Sequence, residues 1–186
     1  SYWKFTEDAS ICKNLYDLNT NSYCSGTILE KENYPIYFES IKSRKLINAP
    51  NVFNEAELSE FTGNYFTKHD IKSLLDIPIF INGELIGILS LESTKFKIKW
   101  DNEDINFARA ISDIISLTII YQSRYEAEKK LEYKSELLAA MTLCAEKFLN
   151  SSDINDIFSD VLVIMGKATK SHRAYYYENN DNTGLI

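Results

Sequence analysis

The chain has 186 residues, 45% hydrophobic and 25% charged, with a net charge of -7. This is an ordinary composition for a folded domain, or for one domain plus part of another, and the acidic balance excludes the clustered basic face of a nucleic-acid binder. Cys12, Cys24 and Cys144 show no CxxC or CxxH spacing, which argues against a disulfide framework or zinc site and fits a reducing, cytoplasmic setting.

Tyr2 to Thr6 (YWKFT) predicts a short aromatic strand, and Ile11 to Tyr16 a second one after the turn chemistry of Glu7 to Ser10. Tyr23 to Leu29 predicts a third, with Gly26 marking a bulge. Tyr34-Pro35 opens a helix that runs to Ser43 with Ile36, Tyr37, Phe38 and Ile41 on its apolar face. Lys45 to Ala49 reads as a brief strand closed by Pro50. Asn51 to Ile71 is irregular and aromatic-rich, with one short helix expected around Ala56 to Thr62 and loop after it.

The strongest signal is Ser73 to Ser90, SLLDIPIFINGELIGILS. Two apolar runs flank Asn82-Gly83, a pair suited to a type I′ turn because both positions need positive φ. Leu75, Ile77, Ile79 and Ile81 fall on one face of the first run, with Leu74, Asp76 and Phe80 on the other. In the second run Leu85 and Leu89 alternate with Ile86 and Ile88. Strands apolar on both faces are covered on both sides, so this hairpin is expected at the centre of a sheet. Pro78 removes a ladder donor and calls for a bulge or a direction without a partner strand. Lys95 to Trp100 fits a rim strand or an ordered loop.

Asp101 is suited to cap a helix, and from there to Leu149 the sequence has no Gly or Pro. Unbroken, that helix would be roughly 72 Å long. Its first part carries Ile105, Ala108, Ile111, Ile115 and Thr118 on one face, suited to cover the sheet. Leu117, Leu131 and Leu138 share a heptad position with Arg124 and Ala145, and Ile120, Met141 and Phe148 share another with Ala127 and Lys134. Two readings stand: an imperfect coiled-coil seam, or a solvated helix between two domains. The stretch from Gln122 to Glu136 is charge-rich, and no apolar segment is long enough to insert in a membrane. Ser151 to Asp153 then caps a further helix with Ile154, Ile157, Phe158, Val161, Leu162 and Met165 on its buried face. The closing AYYY-ENNDNT-GLI echoes the opening YWKF-TEDAS-IC, the pattern of an internal repeat.

From Tyr2 to about Tyr121 the order and spacing of YWKF with LYD, NYPIYFESI, NAP-NVFNEAELSEF, KSLLDIPIFINGELIGILSLES and W-DNEDINFARAISDII resemble a GAF domain, the sensory module of bacterial histidine kinases, cyclases and phosphodiesterases. The resemblance implies an α+β fold. An antiparallel sheet of five or six strands has terminal helices on one face and a loop and helix layer over a ligand pocket on the other. It divides the chain into a GAF domain at 1–121 lacking the family's first helix, a connecting signalling helix at 122–136, and the beginning of a second GAF repeat at 137–186. The helix 153–168, or the one before it, is expected to stand in for the missing first helix, within one chain or swapped between two.

The resemblance also points to ligand-binding candidates, Asn48, Phe53, Phe61, Tyr65 and Ser73, on or beside the loop over the sheet. The alternative is that the aromatic residues fill a small core. The Asn-Lys…Phe…Asp-Glu motif of the cyclic-nucleotide-binding GAF subset cannot be placed, which disfavours a cyclic nucleotide. Bilin-binding GAF domains use a pocket-side cysteine, and none falls between Pro50 and Ile81, which disfavours a covalent bilin. The branch that reduces methionine sulfoxide also uses cysteines near the pocket, so no enzyme activity, metal or other cofactor is expected. His69 beside Asp70 reads as an exposed loop pair or a pH-sensitive contact, and Asp76, if buried, needs a hydrogen-bond partner. The expected function is therefore a small-molecule-sensing module. It relays a change along the long helix to an output domain, that of a histidine kinase, as a homodimer through helices 102–121 and 122–149. The alternative is a ligand-free dimerisation scaffold.

Overall fold

The computed structural model describes residues 1–43, 46–150 and 154–177. Strand β1 (Tyr2–Phe5) turns into β2 (Ala9–Asp17), where the Thr6 hydroxyl donates to Ala9 O and accepts from Ala9 N. The expected third strand is split into β3 (Ser22–Cys24) and β4 (Ile28–Glu30), both paired with β2. Between them Gly26, at φ +93°, donates to Cys12 O, while Cys12 N donates to Thr27 O. Two residues thus oppose one, the count of a bulge with glycine in the left-handed position.

Helix α1 (Pro35–Lys42) starts on its proline and buries Tyr37, Phe38 and Ile41, whereas Ile36, expected on the same face, is exposed. Strand β5 (Ile47–Ala49) follows. The irregular stretch holds two 3₁₀ turns, Val52–Asn54 and Ala56–Phe61, and then α2 (Tyr65–His69), a helix where loop was expected. Asp70 ends α2 in the left-handed conformation, φ 53°.

Strands β6 (Ser73–Ile81) and β7 (Glu84–Ser93) form the hairpin around Asn82-Gly83, whose φ angles of 51° and 86° are the two positive values the turn requires. The strand order is β3-β2-β1-β7-β6-β5, every pairing antiparallel, so β6 and β7 lie inside the sheet. Since β3 and β4 share one flank of β2, the seven strands fill the six positions of the order. Gly87 is required where β1 meets β7, because a Cβ there would lie 2.3 Å from Trp3 O. Pairing of β5 with β6 stops at Asp76, so Pro78 lies past the end of that ladder. A register shift also falls between Ile79 and Phe80. It moves Leu85 and Leu89, expected on one face, to opposite ones: Leu85 packs with Ile88, and Leu89 with Leu75 and Ile77.

Residues 94–100 form an ordered connection rather than a rim strand, held by Ser93 Oγ donating to Phe96 O and by Ile98 N donating to Ser73 Oγ. Helix α3 (Asn102–Asn150) begins on a reciprocal cap. Asp101 Oδ1 accepts from Glu103 N and Asp104 N at 2.8 and 3.0 Å, and Asp104 Oδ2 accepts from Asp101 N at 3.1 Å. Against the sheet α3 buries Ala108 and Ser112, with Ile105 partly buried, while Thr118 is exposed.

Two units divide the chain, Ser1–Tyr121 and Gln122–Ile186. In the second, α4 (Ile154–Ala168) buries Ile157 and Val161 and leaves Met165 exposed. Phe158 stacks on Tyr176 at 4.0 Å and meets Phe148 edge-on, and Lys147 pairs with Asp160. Residues 174–177 carry no regular structure. The expected cap at Ser151 to Asp153, and the turn and apolar end after Tyr177, lie outside the described residues. Among the described residues, no helix is long and apolar enough to cross a membrane.

Candidate functional site

Alternation along β6 assigns adjacent residues to different layers. Leu75 and Ile77 pack with Ala108 of α3, while Leu74 joins the core beneath α1 and the 51–69 segment. Asp76 shares the face of Leu74, and on β7 their cross-strand partners are Ser90 and Glu92. The central hairpin therefore places two carboxyl groups and a hydroxyl on one sheet face, under a roof of aromatic side chains.

Asp76 is 2% exposed, and its Oδ2 accepts a 2.6 Å hydrogen bond from the Tyr37 hydroxyl of α1. The expected partner is thus present, but Asp76 Oδ1 is buried and has none. Ser10 Oγ of β2 is likewise buried and unpartnered. Both residues line a small cavity of about 20 Å³, together with Trp3, Tyr37, Phe61, Tyr65, Phe66, Ser90 and Glu92. That volume is room for about one water molecule.

The roof is tied down locally. Glu60, from the second 3₁₀ turn, accepts from the first amides of α1, Ile36 N and Tyr37 N, each at 3.1 Å. A carboxylate there satisfies donors that the helix cannot. Phe61 stacks against Tyr34 and Phe66 and meets Tyr37 edge-on, and Trp3 meets Tyr65 at 6.4 Å.

Burial dominates the electrostatics. It pushes the Asp76 carboxyl up to about 6, with the Tyr37 and Ser90 hydroxyls and the Ser1 ammonium pulling the other way. It pushes Glu92 up to about 7, helped by the charge of Asp76 and offset by the Ser1 ammonium and the Tyr65 hydroxyl. The Tyr37 and Tyr65 hydroxyls are raised by the same burial and by those acids. The titratable side chains that line the cavity are all acids or phenols.

Of the ligand-binding candidates, Phe61 and Tyr65 line this cavity. Phe53 does not; it is half exposed, with its ring edge-on to Phe66. Asn48 and Ser73 fall on the other sheet face. Asn48 lies opposite Leu75 and donates to Trp100 O, with its Oδ1 left unpartnered. Ser73, two residues before Leu75, donates to Pro50 O and accepts from Ile98 N. Both hold the 94–100 connection and the end of β5 in place. The exposed His69 packs on the Tyr65 ring, and Asp70 pairs with Lys72 instead. Trp3, Ser10, Tyr37, Ser90 and Glu92 escape a reading centred on the 51–71 segment. For the four on strands the signal lay only in the register, and Tyr37 stands on the buried face of α1.

Among solved structures, the GAF domain of a two-component sensor histidine kinase from Bacillus halodurans is similar. Its TM-score is 0.52 at 21% identity, over 68% of this chain and 83% of that one. The cyanobacteriochrome receptor PixJ aligns with a TM-score of 0.49 at 14% identity, over 62% of this chain and 78% of its own. No curated protein matches the sequence. The GAF domain family model matches residues 12–119, most of the first unit. By that match over more than half its length, the chain belongs to the GAF domain family.

Proposed function

We propose that this GAF domain is the sensory module of a cytoplasmic signalling protein. A small molecule held without a covalent bond occupies the aromatic-roofed cavity, and the change passes through the central hairpin to α3 and on to an output domain, that of a histidine kinase. One observation carries the reading: β6 contributes consecutive residues to two layers, Leu74 and Asp76 to the cavity side and Leu75 and Ile77 to the α3 side. A second link, Ser112 Oγ of α3 donating to Pro78 O at 3.3 Å, ties the helix to the same strand. A ligand shifts such a system only by preferring one arrangement over another. No cysteine lines the cavity, which suits reversible binding, and the reading assigns the chain no catalysis.

The scaffold reading has its own support. Phe107, Ile114 and Tyr121, seven residues apart on α3, are exposed, and so is Leu117 between them. That is the stripe a parallel helical dimer buries. The two readings are compatible and separable. Native mass spectrometry of the purified chain reports oligomeric state and any retained ligand together, and a metabolite screen by thermal shift follows. A ligand at 100 times its Kd adds about 2.7 kcal/mol of stability. A dimer that no metabolite stabilises and that carries none supports the scaffold alone.

A further inference from the structure

The chemistry of the cavity narrows what it accepts. Its two unpartnered buried atoms, Asp76 Oδ1 and Ser10 Oγ, are an acceptor and a hydroxyl free to accept. Glu92 adds a second carboxyl, and no Lys, Arg or His lines the wall. The remaining surface is largely aromatic: Trp3, Phe61, Tyr65 and Phe66, with Tyr37 already committed as the donor to Asp76. Ring faces attract a cation, and an anion would meet two carboxyl groups and no basic side chain, the Ser1 ammonium being held outside the wall on Ser90 O at 2.6 Å. A buried carboxylate oxygen without a partner is costly, and an N–H donor with positive charge removes that cost most fully. The volume, about 20 Å³, is that of a head group rather than a whole metabolite.

We propose that the cavity is the head-group site for a small primary amine, its ammonium donating to Asp76 Oδ1 and Ser10 Oγ and its carbon chain lying against the Phe61 and Tyr65 rings. This rests on the sensory reading of the same cavity. The chain of the amine displaces part of the roof, whose 3₁₀ turns and five-residue α2 are its least regular pieces. Recognition is by charge and N–H donors, so an alcohol or an acid of equal size is rejected.

The test is calorimetry on the full chain with n-propylammonium chloride, n-propanol and sodium propionate at equal ionic strength. Binding of the ammonium at least tenfold tighter than either other compound is expected. Asp76→Asn is expected to weaken it at least tenfold and Ser10→Ala at least threefold, with near-ultraviolet circular dichroism confirming the fold. Should Asp76→Asn fail to fold, Ser10→Ala and Glu92→Gln decide, and unchanged affinity in both overturns the assignment. Equal or tighter binding of propanol or propionate also overturns it, while leaving the sensory reading intact. If none of the three binds, the amine assignment falls. The sensory reading then falls with it only if native mass spectrometry and the metabolite screen also find no ligand.

Discussion

The two faces of the central hairpin are built from alternating residues of the same strands, yet they solve opposite problems. Toward α3, Leu75 and Ile77 are buried against Ala108, with Leu89, Trp100 and Ile105 around them. Toward the roof, Asp76 and Ser90 are buried at neighbouring positions, and Asp76 and Ser10 keep unpartnered oxygens. The first face gains free energy from apolar burial, and the second gives some of it up. A fold this size has little stability to spare, so a buried orphan carboxylate oxygen marks a place where stability is not what the residues serve.

Mutating each face in turn sharpens the contrast. The largest effect is expected at the α3 face: Leu75→Ala leaves a cavity under the helix and costs about 2–5 kcal/mol in urea unfolding, with no pH dependence of its own. The cavity face shows itself through pH. Asp76 stands at about 6 in the fold against an ordinary 3.8, so the folded chain holds a proton that the unfolded chain releases. Its stabilising contribution is full below the ordinary value and is lost as pH rises through about 6; the span is on the order of 2–3 kcal/mol. Glu92 acts with the same sign up to about 7. Unfolding free energies at pH 4.5, 6 and 7.5 should therefore fall with pH, and Asp76→Asn should flatten part of that slope, the remainder being carried by Glu92. An unchanged slope would remove the distinction between the faces.

Tyr37→Phe takes away the 2.6 Å hydrogen bond to Asp76 Oδ2 and is expected to cost about 1–2 kcal/mol at pH 7.5. In a double-mutant cycle it should couple to Asp76→Asn and add independently to Leu75→Ala. The smallest effect is expected at Ser112→Ala, about 0.5–1 kcal/mol, since its bond to Pro78 O is long at 3.3 Å.

Much of the α3 face was legible in the sequence. Asn82-Gly83, the cap at Asp101 and the spacing of Ile105 and Ala108 each state a local requirement that the fold keeps. The cavity face was not, and the reason is one bulge. Counted from the turn, Ile81 opposite Glu84 would set Asp76 opposite Leu89. The shift between Ile79 and Phe80 sets it opposite Ser90 instead, and brings Glu92 opposite Leu74. A bulge leaves little trace in composition, so Ser90 and Glu92 could not be assigned to the pocket side. Asn48 and Ser73 were misleading for a related reason. Their loop-side position in sequence said nothing of face, whereas pairing puts them with Leu75. Helix α2 was hidden because five residues of YFTKH are too few to show a period.

The central claim is that the two faces are coupled through the strands they share. Hydrogen exchange of the full chain against its Asp76→Asn variant at pH 7.5 measures this most directly. Changed protection is expected at α1 and α2 and also at residues 105–116 of α3, on the far side of the sheet. Protection that changes on the cavity side alone, with 105–116 unmoved, would contradict it.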